Sequence, residues 1–232
     1  MRIALFGYGK MGKMIEEIAK SRNHNIVAKI DLDTTEIDYS QIDVAIDFST
    51  PDAAFGNITN CFKKNIPVIS GTTGWLQQYD EAIAVCKENK GAFIYASNFS
   101  LGVNIFFELN EYLSKMMQGL EQYTVHMEEI HHTQKLDAPS GTAITLAEGV
   151  TKNLDYEGWT MGNEPKKIPI TSKREGNVPG THSVTYHSAV DDIKIKHKAH
   201  GREGFALGAI VAAEWIIGRT GIFTMKDVLN IG

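Results

Sequence analysis

The chain has 232 residues, 43% hydrophobic and 22% charged, which suits a globular protein with one large or two modest domains. A formal net charge of −5 argues against a general nucleic-acid or membrane-surface binder, and no apolar run is long enough to span a bilayer. Cys61 and Cys86 are too few and too isolated for a disulfide frame, and the N-terminus turns to glycine too early for a secretory signal, so a cytoplasmic protein is expected.

The first element, RIALF from Arg2, is a short apolar run that ends in glycines. KMGKMIEEIAK then has helical spacing, with Met11, Met14, Ile15 and Ile18 on related faces. NIVAKI from Asn25, DVAIDFS from Asp43, IPVISG from Ile66 and AFIYAS from Ala92 read as further strands, with helices predicted after Pro51, Leu76 and Leu101. Buried β-rich runs separated by helices indicate a parallel sheet covered on both faces.

After about residue 100 the rhythm changes. YTVHMEEIHH, KKIPITSKR, HSVTYHSA and DIKIKHKA alternate as strands of an antiparallel or mixed sheet with one open face, interrupted by a helix from Thr142 to about Asn153. HSVTYHSA and DIKIKHKA are expected to leave an exposed apolar sheet face and edges, which call for a partner. GFALGAIVAAEWIIG, after Arg202, is mostly apolar and predicts a buried helix. The expected fold is α/β. A Rossmann-type parallel-sheet domain, residues 1–99 and 202–232, binds the dinucleotide, and an inserted α+β domain with a mixed sheet, residues 100–201, serves substrate binding and oligomerisation.

GYGKMG sets Gly7, Gly9 and Gly12 in Gly-x-Gly-x-x-Gly spacing between a strand and a helix. The first glycine permits the turn, the second lets a pyrophosphate reach the backbone, and the third lets helix and strand pack closely. The whole loop, Gly7, Tyr8, Gly9, Lys10, Met11 and Gly12, is therefore a cofactor candidate. Asp31, about 20 residues on at the end of the next strand, can accept from a ribose hydroxyl. The bland alternative is a glycine-rich turn followed by an ordinary strand-end acid. SGTTGW puts Gly71, Thr72 and Thr73 at the carboxyl edge of the same sheet, where such sheets bind ligands, although a strand-to-helix loop needs these residue types anyway.

EEIHHTQKLDAPSGTA, residues 128–143, gathers adjacent histidines, a lysine and a Ser-Gly-Thr turn. Ser140 can cap a helix from Thr142, Gly141 lets the backbone come close, and the first N–H groups of that helix suit a carboxylate. A well-capped helix without a ligand is the alternative.

This run, with GYGKMG, SGTTG, SNFSLGVN, PGTH and the closing GIFTMKDVL, resembles the 4-hydroxy-tetrahydrodipicolinate reductases of the diaminopimelate and lysine pathway over essentially the whole chain. The resemblance implies NADH- or NADPH-dependent reduction of a cyclic dicarboxylate and a homotetramer formed through the inserted sheet. It implies His131 as catalytic acid, Lys135 as its cationic partner, and substrate contacts from His132, Lys135, Ser140, Gly141 and Thr142. It adds Ala96, Ser97, Asn98 and Phe99 to the cofactor residues. Histidine suits a proton donor near neutral pH.

Metal binding by His126, His131 and His132 with Glu128 and Glu129 is a rival. Adjacent strand residues point to opposite faces and neither cysteine is near, so no metal is expected. Two other functions compete: a non-catalytic dinucleotide-sensing protein, and an oxidoreductase for another small acid such as an amino-acid semialdehyde or aspartate. Neither needs HHTQKLDAPSGT. Where many relatives place an arginine after the strand-end acid, this chain has LDTT, so Leu32 and Asp33 bring no cation for a 2′-phosphate. Lys10 and Lys13 are long enough to reach one, and NADH is expected to serve at least as well as NADPH.

Overall fold

The structure, a computed structural model, describes residues 1–31, 34 and 36–231, so the expectation for Leu32 and Asp33 falls outside the described residues. The chain forms two compact units, Met1–Leu101 with the segment from Glu203 onward, and Gly102–Arg202. The first opens with β1 (Arg2–Phe6), α1 (Lys10–Ser21), β2 (Asn25–Ile30), β3 (Val44–Asp47), α2 (Pro51–Lys63), β4 (Val68–Ser70), α3 (Tyr79–Glu88) and β5 (Ala92–Tyr95). Next come α4 (Leu101–Met116), β6 (Thr124–His131), α5 (Gly141–Thr151), β7 (Trp159–Thr160), β8 (Ile168–Arg174), β9 (Thr181–His187) and β10 (Asp192–Lys198). The chain then returns to the first unit through α6 (Glu203–Ile216), β11 (Gly221–Phe223) and α7 (Met225–Leu229).

In the first unit a six-stranded parallel sheet runs β11-β5-β4-β3-β1-β2. Its four inner strands, β5, β4, β3 and β1, bury both faces. Ile3, Leu5, Val44, Ile46 and Ile94 join Ile15, Ala19, Ala209 and Ile210 in one core. Ala4, Phe6, Ala45, Val68 and Phe93 join Ala54, Ile58, Phe62 and Ala82 in the other. Each fully buried aliphatic or aromatic side chain here is worth about 1.5–3 kcal/mol. α6 buries Ala206, Gly208, Ala209, Ile210, Ala212, Ala213 and Ile216, as its all-round apolar sequence requires. Strand order reverses between β1 and β3, and the crevice beyond the carboxyl ends of these strands is where such sheets bind ligands.

The unit boundary falls two residues past the expected 99. Phe99 is 1% exposed in the first core, and its carbonyl lies against Gly208 of α6 so closely that a Cβ there would collide with it. β7, β11 and α7 had no counterpart in the sequence reading.

The second unit holds a mixed sheet, β10-β9-β6-β8-β7. β9 pairs antiparallel with β6 and β10, whereas β8 pairs parallel with β6 and β7. α4 and α5 supply Phe106, Leu113, Ala143, Leu146, Ala147 and Val150, which pack with Val125, Met127, Ile170, Val184 and Tyr186 of the strands. Both β9 and β10 were expected to offer an exposed apolar face, and the structure corrects this. Thr181–Tyr186 of β9 are buried, because β9 lies between two other strands. Register sets Lys194 opposite Thr185 and Lys196 opposite Ser183, and Ser183 opposite Glu128, which pairs with Lys173 at 2.5 Å. That face is polar and charged, while Ile193 and Ile195 stand opposite Tyr186 and Val184 on the other face.

Candidate functional site

The candidate residues fall into two groups, one in each unit. In the first unit the turn after β1 starts at Gly7, with φ +88° and its N–H bonded to the Ile30 carbonyl at 2.8 Å. A Cβ on Gly7 would strike the Phe48 carbonyl just past β3, so only glycine fits where the two loops meet. Gly12 is buried under the Gly7 carbonyl. Gly9 is different: nothing lies within 4 Å of its missing Cβ. It is the N-cap of α1, there is no side-chain cap bond, and the first turn holds no acid. An open backbone at an uncapped helix start fits a dinucleotide pyrophosphate.

Tyr8 is committed locally, with its hydroxyl on Glu16 and Lys29 and the Lys29 ammonium 4.4 Å from its ring centre. Hydrogen bonds from Lys20, Lys29 and Tyr8 hold the Glu16 carboxyl down at about 2. Lys10 is exposed and Met11 half-buried. Asp31 is exposed immediately after β2, and its N–H donates to Thr34 Oγ1 at 3.0 Å.

The loop after β4 rests on Asp47, a buried acid that the sequence reading missed. Asp47 accepts from Ser49, Ser70 and Thr72 hydroxyls at 2.6, 2.9 and 2.7 Å. Burial raises its carboxyl despite these donors. The Thr72 side chain is therefore structural, and its Oγ1 also accepts the Ser49 N–H at 2.9 Å. Gly71 is half-buried and Thr73 exposed. Beyond β5, Ser97 is exposed, Ala96 and Asn98 are half-buried, and the Phe99 ring belongs to the core. The one available signal for Asp47 was an acid closing an apolar strand.

The second unit collects the polar residues at the end of β6. Glu129 and His131 share a face of that strand, as a period of two requires, and the His131 Nδ1 bonds to Glu129 Oε2. Glu129 is fully buried, and its Oε1 takes Arg174 Nη1 of β8 at 2.8 Å. Burial works to raise this carboxyl, but the His131 and Arg174 bonds outweigh it and hold it at about 2. Arg174 also donates to the carbonyls of Lys135 at 3.2 Å and Asp137 at 2.6 Å, tying the loop after β6 to β8. Register alone sets His182 of β9 opposite Glu129. Its ring meets that of His131 at 5.0 Å between centroids and 70°.

His132 lies just past the strand, half-buried, with no hydrogen-bond partner for its ring among the described residues. Its carbonyl accepts the Lys135 N–H at 3.1 Å. Lys135 is half-buried and its ammonium rests on Asp137 Oδ1 at 2.8 Å. The Ala138–Pro139 peptide is cis. Ser140 caps α5, where its Oγ accepts the Ala143 N–H at 3.3 Å and its carbonyl the Ile144 N–H at 3.0 Å. The N–H groups of Gly141 and Thr142 are thus left for a ligand, in a first turn without an acid. Gly141 is exposed and Thr142 half-buried.

Glu129, His131 and His182 offer donor atoms all within 4.8 Å of one another, a group that keeps two of the five residues weighed from the sequence and adds His182. The carboxylate is already engaged by His131 and Arg174, so a cation there would compete with an internal charge balance. Glu129 was weighed only as a metal ligand, and Arg174 and His182 were missed, since their places beside it arise from strand pairing across the sheet.

Among known proteins, a family model for the dihydrodipicolinate reductase N-terminus matches residues 1–99, and one for the C-terminus matches residues 102–229. The chain is 62% identical to a 4-hydroxy-tetrahydrodipicolinate reductase of Christiangramia forsetii, over 99% of this chain and 98% of that one. It is 36% identical to the 4-hydroxy-tetrahydrodipicolinate reductase of Buchnera aphidicola subsp. Schizaphis graminum, over 99% and 97%. In fold it is similar to the dipicolinate-bound dihydrodipicolinate reductase from Paenisporosarcina sp. TG-14, with a TM-score of 0.79, 22% identity and 97% of each chain covered.

Proposed function

The chain belongs to the dihydrodipicolinate reductase family, enzymes that reduce 4-hydroxy-tetrahydrodipicolinate with NADH or NADPH in the diaminopimelate route to lysine, and from that premise we propose how its residues divide the work. The first unit binds the dinucleotide: the open backbone at Gly9 and the first turn of α1 hold the pyrophosphate, and Asp31 holds the adenosine ribose. Gly71, Thr73 and the Ala96–Asn98 segment line the same carboxyl edge. Thr72 and Phe99 act through the backbone, since their side chains are engaged elsewhere. When bound, the nicotinamide supplies the hydride.

The second unit binds the substrate and delivers the proton. Gly141 and Thr142 N–H groups donate to one carboxylate, with Lys135 and His132 supplying charge and a donor to the other. Lys135 exchanges Asp137 for the substrate anion. His131 is the general acid: Glu129 takes its Nδ1–H, which fixes the ring and leaves Nε2 as the nitrogen that gives its proton. The observation that carries this assignment is the buried Glu129–His131 bond, anchored by Arg174, in the loop system that also carries Lys135. The family resemblance further supports a homotetramer. Cys61 and Cys86, both buried and unbridged, suit the cytoplasm.

Nicotinamide oxidation, followed with freshly generated substrate, tests the proposal. His131→Ala and Lys135→Ala lower turnover by about 10²–10⁴-fold, the range for loss of a general acid, and leave NADH affinity unchanged. Wild-type rates in both variants would refute the assignment.

A further inference from the structure

We propose, resting on the substrate role given above to the start of α5, that His182 is a positioning residue: its Nε2 takes the Ser140 hydroxyl proton and thereby sets the first turn of α5 as a carboxylate site.

Ser140 Oγ lies 3.0 Å from His182 Nε2 and 3.3 Å from the Ala143 N–H. A hydroxyl has one proton. The Ala143 N–H occupies one of the two lone pairs of Oγ, and the proton goes to His182 Nε2, the acceptor at hydrogen-bond distance among the described residues. Ser140 is 2% exposed and His182 4%, so water does not compete for either. The hydroxyl is thus satisfied inside the protein. Gly141 and Thr142 keep their N–H groups for the ligand, in an orientation fixed by the cap.

This arrangement needs a neutral imidazole with its proton on Nδ1. The groups around the ring are Glu129 and His131 of β6, His197 of β10, Lys135 of the loop and Ser140 of α5. Burial pushes His182 down to about 4, the His131, His197 and Lys135 charges act in the same direction, and Glu129 opposes them. The ring is therefore neutral throughout the neutral range, which an accepting Nε2 requires. Nδ1 is buried and has no hydrogen-bond partner among the described residues. An unpaired buried donor is destabilising, and an apolar ring of similar size would fill the space without one. The histidine serves the hydroxyl rather than the core.

The test uses the full-length enzyme and dipicolinate, a planar pyridine dicarboxylate, as a competitive inhibitor. His182→Gln keeps an acceptor near the Nε2 position, His182→Asn places it near Nδ1, and His182→Phe removes it. The Phe and Asn variants raise the dipicolinate Ki by about tenfold and hold kcat within about threefold, the loss expected of one buried hydrogen bond. NADH affinity is unchanged, and the Gln variant recovers Ki to within about threefold of wild type. Adding Ser140→Ala to His182→Phe weakens dipicolinate no further, because the two residues act as one unit.

A wild-type Ki in the Phe and Asn variants, or additive losses in the double variant, would overturn the proposal. Ser140→Ala and Thr142→Val report on the underlying reading. If neither alters Ki, the α5 carboxylate site itself is wrong; if both weaken binding while His182→Phe and His182→Asn do not, the role of His182 alone fails. Circular dichroism confirms folding of each variant. Should His182→Phe unfold, the Asn and Gln pair, both polar, decides the matter.

Discussion

Glu129→Gln removes a charge from the centre of the second unit's polar cluster while preserving its shape. In the wild type the carboxyl is fully buried and held at about 2, against an ordinary value of 4.5. A carboxyl lowered on folding stabilises the folded chain fully above its unfolded value, and that contribution is lost as pH falls from 4.5 toward 2. At neutral pH it amounts to about 3 kcal/mol. The glutamine variant lacks this term and leaves Arg174 with carbonyl acceptors from Lys135, Asp137 and Lys173 but without the buried carboxylate it is bonded to. Urea unfolding at fixed protein concentration, monitored on the second unit's tryptophan Trp159, should show the variant less stable by about 3 kcal/mol at pH 7. The gap narrows to about 1 kcal/mol at pH 3, where the wild-type carboxylate is losing its advantage. NADH affinity is unchanged, since the cofactor residues belong to the other unit. Wild-type and variant curves that run parallel from pH 7 to pH 3 would refute the charge-based account and reduce Glu129 to a packing residue.

With Asp31 on the adenosine ribose, as proposed, its carboxylate would repel a 2′-phosphate. Wild type is expected to use NADH at least as well as NADPH, and Asp31→Ala to move the ratio of kcat/KM values toward NADPH by about tenfold. A strong wild-type preference for NADPH would show that Lys10 and Lys13 outweigh the acid. Light scattering at micromolar concentration should report a tetramer, and a monomer at that concentration would refute the assembly. Because the second sheet's outer face carries Glu128, Lys173, Lys194 and Lys196, assembly through that face should be salt-dependent, and identical association at low and high salt would locate the interface elsewhere.

The local motifs were legible because their chemistry is written in neighbouring residues. GYGKMG specifies a turn and a helix start within six positions, and HHTQKLDAPSGT sets the proposed proton donor, a cation and a helix N-terminus within twelve. The two-residue strand β7 and the three-residue strand β11 are too short to show a period, and they exist because β8 and β5 offer them edges to pair with. The open sheet face was read as apolar because each strand was considered alone. Pairing register decides which side chains stand together, and it aligned lysines with small hydroxyl residues. Register also joined His182 to Glu129 and Arg174 to His131, four residues from three strands. Sequence alone named the groups proposed for the reaction, because hydrogen-bonding and helix-start chemistry act over a few residues. Tertiary structure alone decided what holds those groups in place, because burial and the exclusion of water depend on which strands lie side by side.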